Sequence, residues 1–166
     1  MNLTRLVLEN FGAYEGVNEL TLRSGRKKRK NITLIGGKNG AGKTSVLQAL
    51  RICLYGPTAL GERVSANAYT KYLLGQINNN SRGNPNTETR VSLEFDFALD
   101  GATSHFIVER SWRQLPSKKR IEEVLSVKRD GRDLDELEQN QWQDFINELI
   151  PPGVANFFFF DAEQIE

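Results

Sequence analysis

Gly37-Lys38-Asn39-Gly40-Ala41-Gly42-Lys43-Thr44 satisfies the spacing G-x-x-x-x-G-K-[ST], and its flanks decide how the rest of the chain is read. Before it, Ile32, Thr33, Leu34 and Ile35 predict a short buried strand ending at a Gly-Gly pair. After it, Val46, Leu47, Leu50, Ile52 and Leu54 fall on one broad apolar face, which predicts a helix from near Lys43 to a stop at Gly56-Pro57. Strand, glycine loop and helix in that order are the setting in which this spacing binds phosphate.

The chemistry follows from the residue types. Glycines allow positive φ and close backbone approach, so successive N–H groups converge on phosphate oxygens, and the helix N-terminus adds positive potential. Gly37, Lys38, Asn39, Gly40, Ala41, Gly42, Lys43, Thr44 and Ser45 are therefore the expected nucleotide-binding residues. Lys43 is expected to neutralise the β- and γ-phosphates of ATP, Thr44 to offer its hydroxyl to Mg²⁺, and Ser45 is a candidate for the α-phosphate. The competing reading is a glycine-rich turn with a solvated lysine.

Working outward, Leu3, Leu6, Val7 and Leu8 predict one strand, and Leu20 with Leu22 a second, joined through the Gly12 to Gly16 turn region. Val91, Leu93, Phe95 and Phe97 alternate with polar residues up to Asp100-Gly101, beyond which Phe106, Val108 and Trp112 resume. That dipeptide is a two-residue hairpin signal. Val124, Leu125 and Val127 run into a second, Asp130-Gly131, whereas Trp142, Phe145, Ile146 and Leu149 have helical spacing and stop at Pro151-Pro152-Gly153. From Thr58 to Arg90 the pattern weakens into Asn- and Gly-rich sequence, expected to be a mobile polar loop.

At 166 residues and 39% apolar content the chain suffices for one core. No apolar run reaches the roughly 20 residues that span a bilayer, and the first residues lack a signal peptide's apolar stretch, so a cytoplasmic location without membrane contact is expected. One His and one Cys do not make a structural zinc site, which leaves oxygen ligands for any metal. Residues 1–130 carry 21 Lys and Arg against 12 Asp and Glu, whereas residues 131–166 carry 1 against 9. The basic part suits a polyanion, with the run Arg23 to Lys30 the local DNA candidate, although a solvated charged loop gives the same count.

Several segments resemble a known family. Leu8-Glu9-Asn10-Phe11-Gly12-Ala13-Tyr14 resembles the opening strand of SMC-like ATPases, and the glycine loop resembles their Walker A loop. Leu54-Tyr55-Gly56 ends the helix in the same style. Phe157-Phe158-Phe159-Phe160-Asp161-Ala162-Glu163-Gln164-Ile165 is similar to a segment of the DndD group, the ATPases of bacterial DNA phosphorothioation. The resemblance implies an α/β P-loop NTPase fold: the N-terminal lobe of an ABC-type head over residues 1–166, with a mixed sheet and an antiparallel strand region over 91–129. It implies that the Phe-rich stretch is a strand leading into the Q-loop, with Gln164 the first choice for the γ-phosphate and Mg²⁺ contact and Asp161 and Glu163 in the same register window.

The family pattern further implies a coiled coil and a C-terminal half beyond Glu166, since no Leu-Ser-Gly-Gly-type signature or Walker B Asp-Glu pair occurs within these residues. A second head as homodimer partner, DNA and other sulfur-modification proteins complete the implied partners, with ATP and Mg²⁺ as ligands. An SbcC-like repair ATPase shares the same features. A nucleotide-binding interaction module without hydrolysis is the alternative of a different class.

Other candidates are weaker. Asn10, Phe11 and Tyr14 lie where SMC-like heads approach the adenine base, with Phe11 favoured as core. Arg110, Trp112 and Arg113 suit nucleic acid by type, but such a run at a strand also reads as alternating buried and exposed faces. His105 and Cys53 have no partner at catalytic spacing, and Cys53 is expected to pack on the helix.

Overall fold

The structure is a computed structural model and describes residues 1–22, 33–61, 63–84, 86–99, 101–116, 120–135 and 141–158. The basic run at 23–30, Ile32, and the Q-loop candidates Asp161, Glu163 and Gln164 lie outside the described residues.

Six strands form one sheet in the order β2-β1-β3-β4-β5-β6. They are β1 (Asn2–Phe11), β2 (Tyr14–Thr21), β3 (Glu88–Leu99), β4 (Ala102–Gln114), β5 (Ile121–Arg129) and β6 (Arg132–Asp133). Every pairing among the described residues is antiparallel, which corrects the expected mixed sheet. The turns are the predicted ones. Phe11 pairs with Tyr14 across Gly12-Ala13, Leu99 with Ala102, and Arg129 with Arg132 across Asp130-Gly131. Asp130 and Gly131 both have positive φ, the conformation that a tight turn matched to strand twist requires.

Period-two patterning gives the sheet two unlike faces. Leu6, Leu8, Val91, Leu93, Phe95, Val108, Trp112 and Val127 are buried in the core. The other face carries ion pairs between neighbouring strands: Arg5 with Glu19 and Glu94, and Arg90 with Glu9 and Glu109. Such solvent-reached pairs contribute little, so the apolar face stabilises the sheet and the charged face keeps it wet.

Helix α1 (Lys43–Tyr55) lies on the apolar face and buries Val46, Ala49, Leu50, Ile52, Cys53, Leu54 and Tyr55. It ends, as its sequence predicts, at Gly56, whose φ of 50° suits a residue without a Cβ. Helix α3 (Trp142–Leu149) buries Trp142 and Ile146, and Trp142 joins Phe106 and Phe145 in an aromatic cluster with centroids 5.6–6.0 Å apart.

Three further expectations fail. Residues 33–36 form no strand, and Leu34 is 92% exposed, because a short apolar run becomes a strand only when another strand pairs with it. Residues 58–90 are not one polar loop: they hold α2 (Ala66–Gln76), a 3₁₀ turn at Asn79–Ser81 and the end of another at Gly56–Leu60. Ser65 caps α2 by accepting from the Ala68 N–H at 3.2 Å, and Tyr69 and Leu73 bury its inner face. Third, Phe157 and Phe158 close a helix, α4 (Pro152–Phe158), rather than opening a strand. Pro152 is preset for a first helical turn, and Val154 and Ala155 N–H groups donate back to Pro151 O.

Candidate nucleotide-phosphate site

Gly40 and Gly42 adopt φ of 80° and 93°, which turns the loop so that its backbone wraps the start of α1. The first helical bond runs from Val46 N–H to Gly42 O at 3.0 Å, and the N–H groups before it have no intrahelical acceptor. Gly42 supplies no capping side chain, and the first turn holds no acidic residue. The positive end of α1 is thereby left to an anion.

The Lys43 ammonium folds back over the loop and donates to Gly37 O at 3.1 Å and Lys38 O at 3.2 Å. Ala41 N–H donates to Lys38 O, closing the turn beneath it. These contacts hold the charge at the rim of a cavity of about 200 Å³, lined by Ala13, Asn39, Gly40, Gly42, Lys43, Thr44 and Ser45. Of the predicted loop residues, Gly37 and Lys38 hold the ammonium from behind, and Ala41 packs where a Cβ on Gly37 would come within 3.1 Å. A larger cavity, about 540 Å³, lies at the opposite end of α1 beside Tyr55, Leu60 and Pro151, away from the glycine loop.

Two contacts from the β1–β2 turn shape the loop. Tyr14 lays its ring against Gly42, where a Cβ would sit 2.8 Å from Cε2, and its hydroxyl donates to Gly42 O at 3.4 Å. Partial burial pushes the Tyr14 phenol above its ordinary value, which favours the protonated, donating form. Gly12 faces Ser45 so closely that a Cβ would lie 2.5 Å from Ser45 Oγ. Neither contact is legible from the motif, since both cross between elements.

The adenine candidates are otherwise engaged. Asn10 donates through Nδ2 to Glu88 O and accepts from Gly16 N–H, Phe11 is fully buried against Trp112, and Tyr14 faces the phosphate loop. The nucleic-acid reading of Arg110 and Trp112 also fails. Both are buried on the same face: Trp112 Nε1 donates to Leu73 O, and Arg110 pairs with Glu123 at 3.1 Å. Arg113 is exposed and pairs with Glu122. Cys53, buried on the inner face of α1, packs against the sheet with its thiol donating to Val108 O at 3.1 Å, and burial pushes it up to about 12. His105 on β4 bonds Asp96 on the neighbouring β3 at 2.9 Å.

Among the described residues no helix is long and apolar enough to cross a membrane. A family model described as an AAA domain matches residues 5–165. The chain is 36% identical over 88 residues, 53% of its length, to a probable DNA double-strand break repair Rad50 ATPase of Aquifex aeolicus. It is 26% identical over 162 residues, 95% of its length, to the SbcC component of the nuclease SbcCD of Vibrio cholerae. The matched stretches make up 8% and 15% of those proteins' lengths. With the family model covering nearly every residue, this chain belongs to the AAA domain family.

Proposed function

We propose that this chain is the ATP-binding lobe of an SMC-like ATPase that couples Mg-ATP binding and hydrolysis to DNA processing. The observation that carries the reading is the uncapped N-terminus of α1, with the Lys43 ammonium 3.1 Å from Gly37 O at the rim of a phosphate-sized cavity. Moving from those carbonyls to a phosphate chain exchanges neutral acceptors for anionic ones, which strengthens each hydrogen bond. The backbone N–H groups at the start of α1 orient that chain, and the ring of Tyr14 keeps Gly42 in its left-handed conformation. Thr44, in the first turn, offers the hydroxyl suited to Mg²⁺, which when bound neutralises phosphate charge. Gln164, or Asp161 or Glu163 in the same stretch, is assigned the γ-phosphate and Mg²⁺ contact by resemblance.

Phosphoryl transfer also needs a group that positions the attacking water. We assign that group to a C-terminal half of the same head and the completion of the site to a second head. The exposed Leu34 and Ile35, next to the glycine loop, are where a strand of that half would pair. The names of the relatives favour DNA break repair or nuclease partnership as the setting. The Phe157–Ile165 resemblance favours DNA phosphorothioation and its sulfur-modification proteins. In either setting the basic run at 23–30 is the proposed DNA contact.

Turnover tests this. Residues 1–166 alone should bind ATP without hydrolysing it, and adding the C-terminal half should raise turnover and produce a larger, ATP-dependent species by light scattering. Hydrolysis by residues 1–166 at a rate typical of a complete enzyme would replace the split head with a self-contained NTPase. No turnover in the full-length protein would leave a binding module.

A further inference from the structure

The segment between α2 and β3 carries no sequence motif, yet its first residues reach the β1–β2 turn. Phe11 bridges to Ile77, and Gly12 N–H donates to Gln76 O at 2.7 Å. Asn78 is 7% exposed, and its polar groups are all engaged. Its N–H donates to Asn10 O at 2.8 Å, its Nδ2 donates to Gly12 O at 2.9 Å, its Oδ1 accepts from Asn80 N–H at 3.0 Å, and its carbonyl accepts from Ser81 N–H at 3.0 Å.

The other side of the same turn touches the phosphate loop. Gly12 abuts Ser45 with no room for a Cβ, and Tyr14 packs on Gly42. Close-packed groups transmit displacement instead of absorbing it. A turn anchored from behind by a buried amide therefore fixes where Ser45 and Gly42 stand.

We infer that Asn78 is a positioning residue for the phosphate loop, acting through the Gly12-Ala13 turn. The inference rests on the nucleotide-binding reading of that loop. A buried donor lost opposite a carbonyl leaves that acceptor unsatisfied, and the turn relaxes toward other partners. The Gly12–Ser45 and Tyr14–Gly42 contacts then loosen, and the loop loses the arrangement in which its N–H groups converge.

The test uses three variants. Asn78→Ser keeps an oxygen near Asn80 N–H but removes the amide donor to Gly12 O. Asn78→Asp sets a carboxylate against that carbonyl. Asn80→Ala removes only the exposed Asn80–Glu15 bond and serves as the control. Mg-ATP affinity is measured by calorimetry, and the amide resonances of Gly40, Gly42, Lys43 and Ser45 are followed by NMR in the nucleotide-free protein. We expect Asn78→Ser to weaken Mg-ATP binding about tenfold and to shift those amides, Asn78→Asp to do so more strongly, and Asn80→Ala to leave both unchanged. A residue that merely stabilised the fold would lower the melting temperature without moving the loop amides. Affinity within about twofold of the wild type in a folded Asn78→Ser protein, or unmoved loop amides, overturns the inference. If the wild-type protein binds no Mg-ATP, the nucleotide reading fails, and the amide shifts alone decide whether Asn78 positions the loop.

Discussion

At its C-terminal end α1 meets protein groups that satisfy its carbonyls, and at its N-terminal end it meets a glycine loop that offers no capping side chain. Gly56 N–H donates to Ile52 O, Arg110 Nε donates to Cys53 O at 3.3 Å, and the Thr58 hydroxyl donates to Tyr55 O at 2.8 Å. The Arg110 guanidinium packs onto Gly56, where any Cβ would come within 2.7 Å of it. A cation there complements the negative end of the helix. The opposite end has no cap side chain and no acidic residue in its first turn, and the Lys43 ammonium donates to the carbonyls of Gly37 and Lys38. The two ends of one helix thus differ in whether a side chain caps them.

The largest expected effect tests the satisfied end. Arg110→Met should destabilise the protein by about 3 kcal/mol, because Cys53 O loses its donor and Glu123 its buried partner. Urea unfolding measures this. In whatever fraction stays folded, Mg-ATP affinity should match the wild type, since Arg110 sits at the far end of α1 from the glycine loop. A large loss of affinity with unchanged stability would dissolve the distinction between the two ends.

A smaller effect concerns pH. Burial pushes Cys53 and Tyr55 each up to about 12, whereas in the unfolded chain they lose protons near 9 and 10. Between those values the unfolded state binds fewer protons than the folded one, so stability should fall as pH rises from about 9, and Tyr14, Tyr69 and Tyr72, whose phenols burial also raises, add to the fall above about 10. Cys53→Ala should remove the onset between 9 and 10 and leave the later fall from the tyrosines. Alkaline unfolding curves read both, and an unchanged onset in Cys53→Ala would mean that the thiol is not held in its protonated form.

Local features are legible in the sequence and non-local ones are not. The glycine loop, the α1 stop and the Asp-Gly hairpins are decided by residues adjacent in the chain, and each stands where the sequence places it. Of the strand expected over Ile32 to Ile35, the described residues 33–35 form none, because apolar residues signal burial without naming a partner. Helix α2 is hidden because Asn78-Asn79-Asn80 and the Gly-Asn run behind it outweigh one capping serine and two spaced apolar residues. The Phe157-Phe158 pair fits strand or helix equally by periodicity, and Pro152 settles it. At the site, Lys43 and Thr44 are legible from spacing, whereas the contacts of Tyr14 and Asn78 are not. Tyr14 meets the loop across 28 residues, and Asn78 meets Gly12 across 66.

The most direct measurement is calorimetric titration of Mg-ATP into the wild-type chain and into Lys43→Ala. The open end of α1 predicts a saturable exothermic binding to the wild type that falls by at least about tenfold in Lys43→Ala, with both proteins melting at the same temperature. Equal affinity in the two, or no binding to the wild type, would contradict it and return the loop to a glycine-rich turn with a solvated lysine.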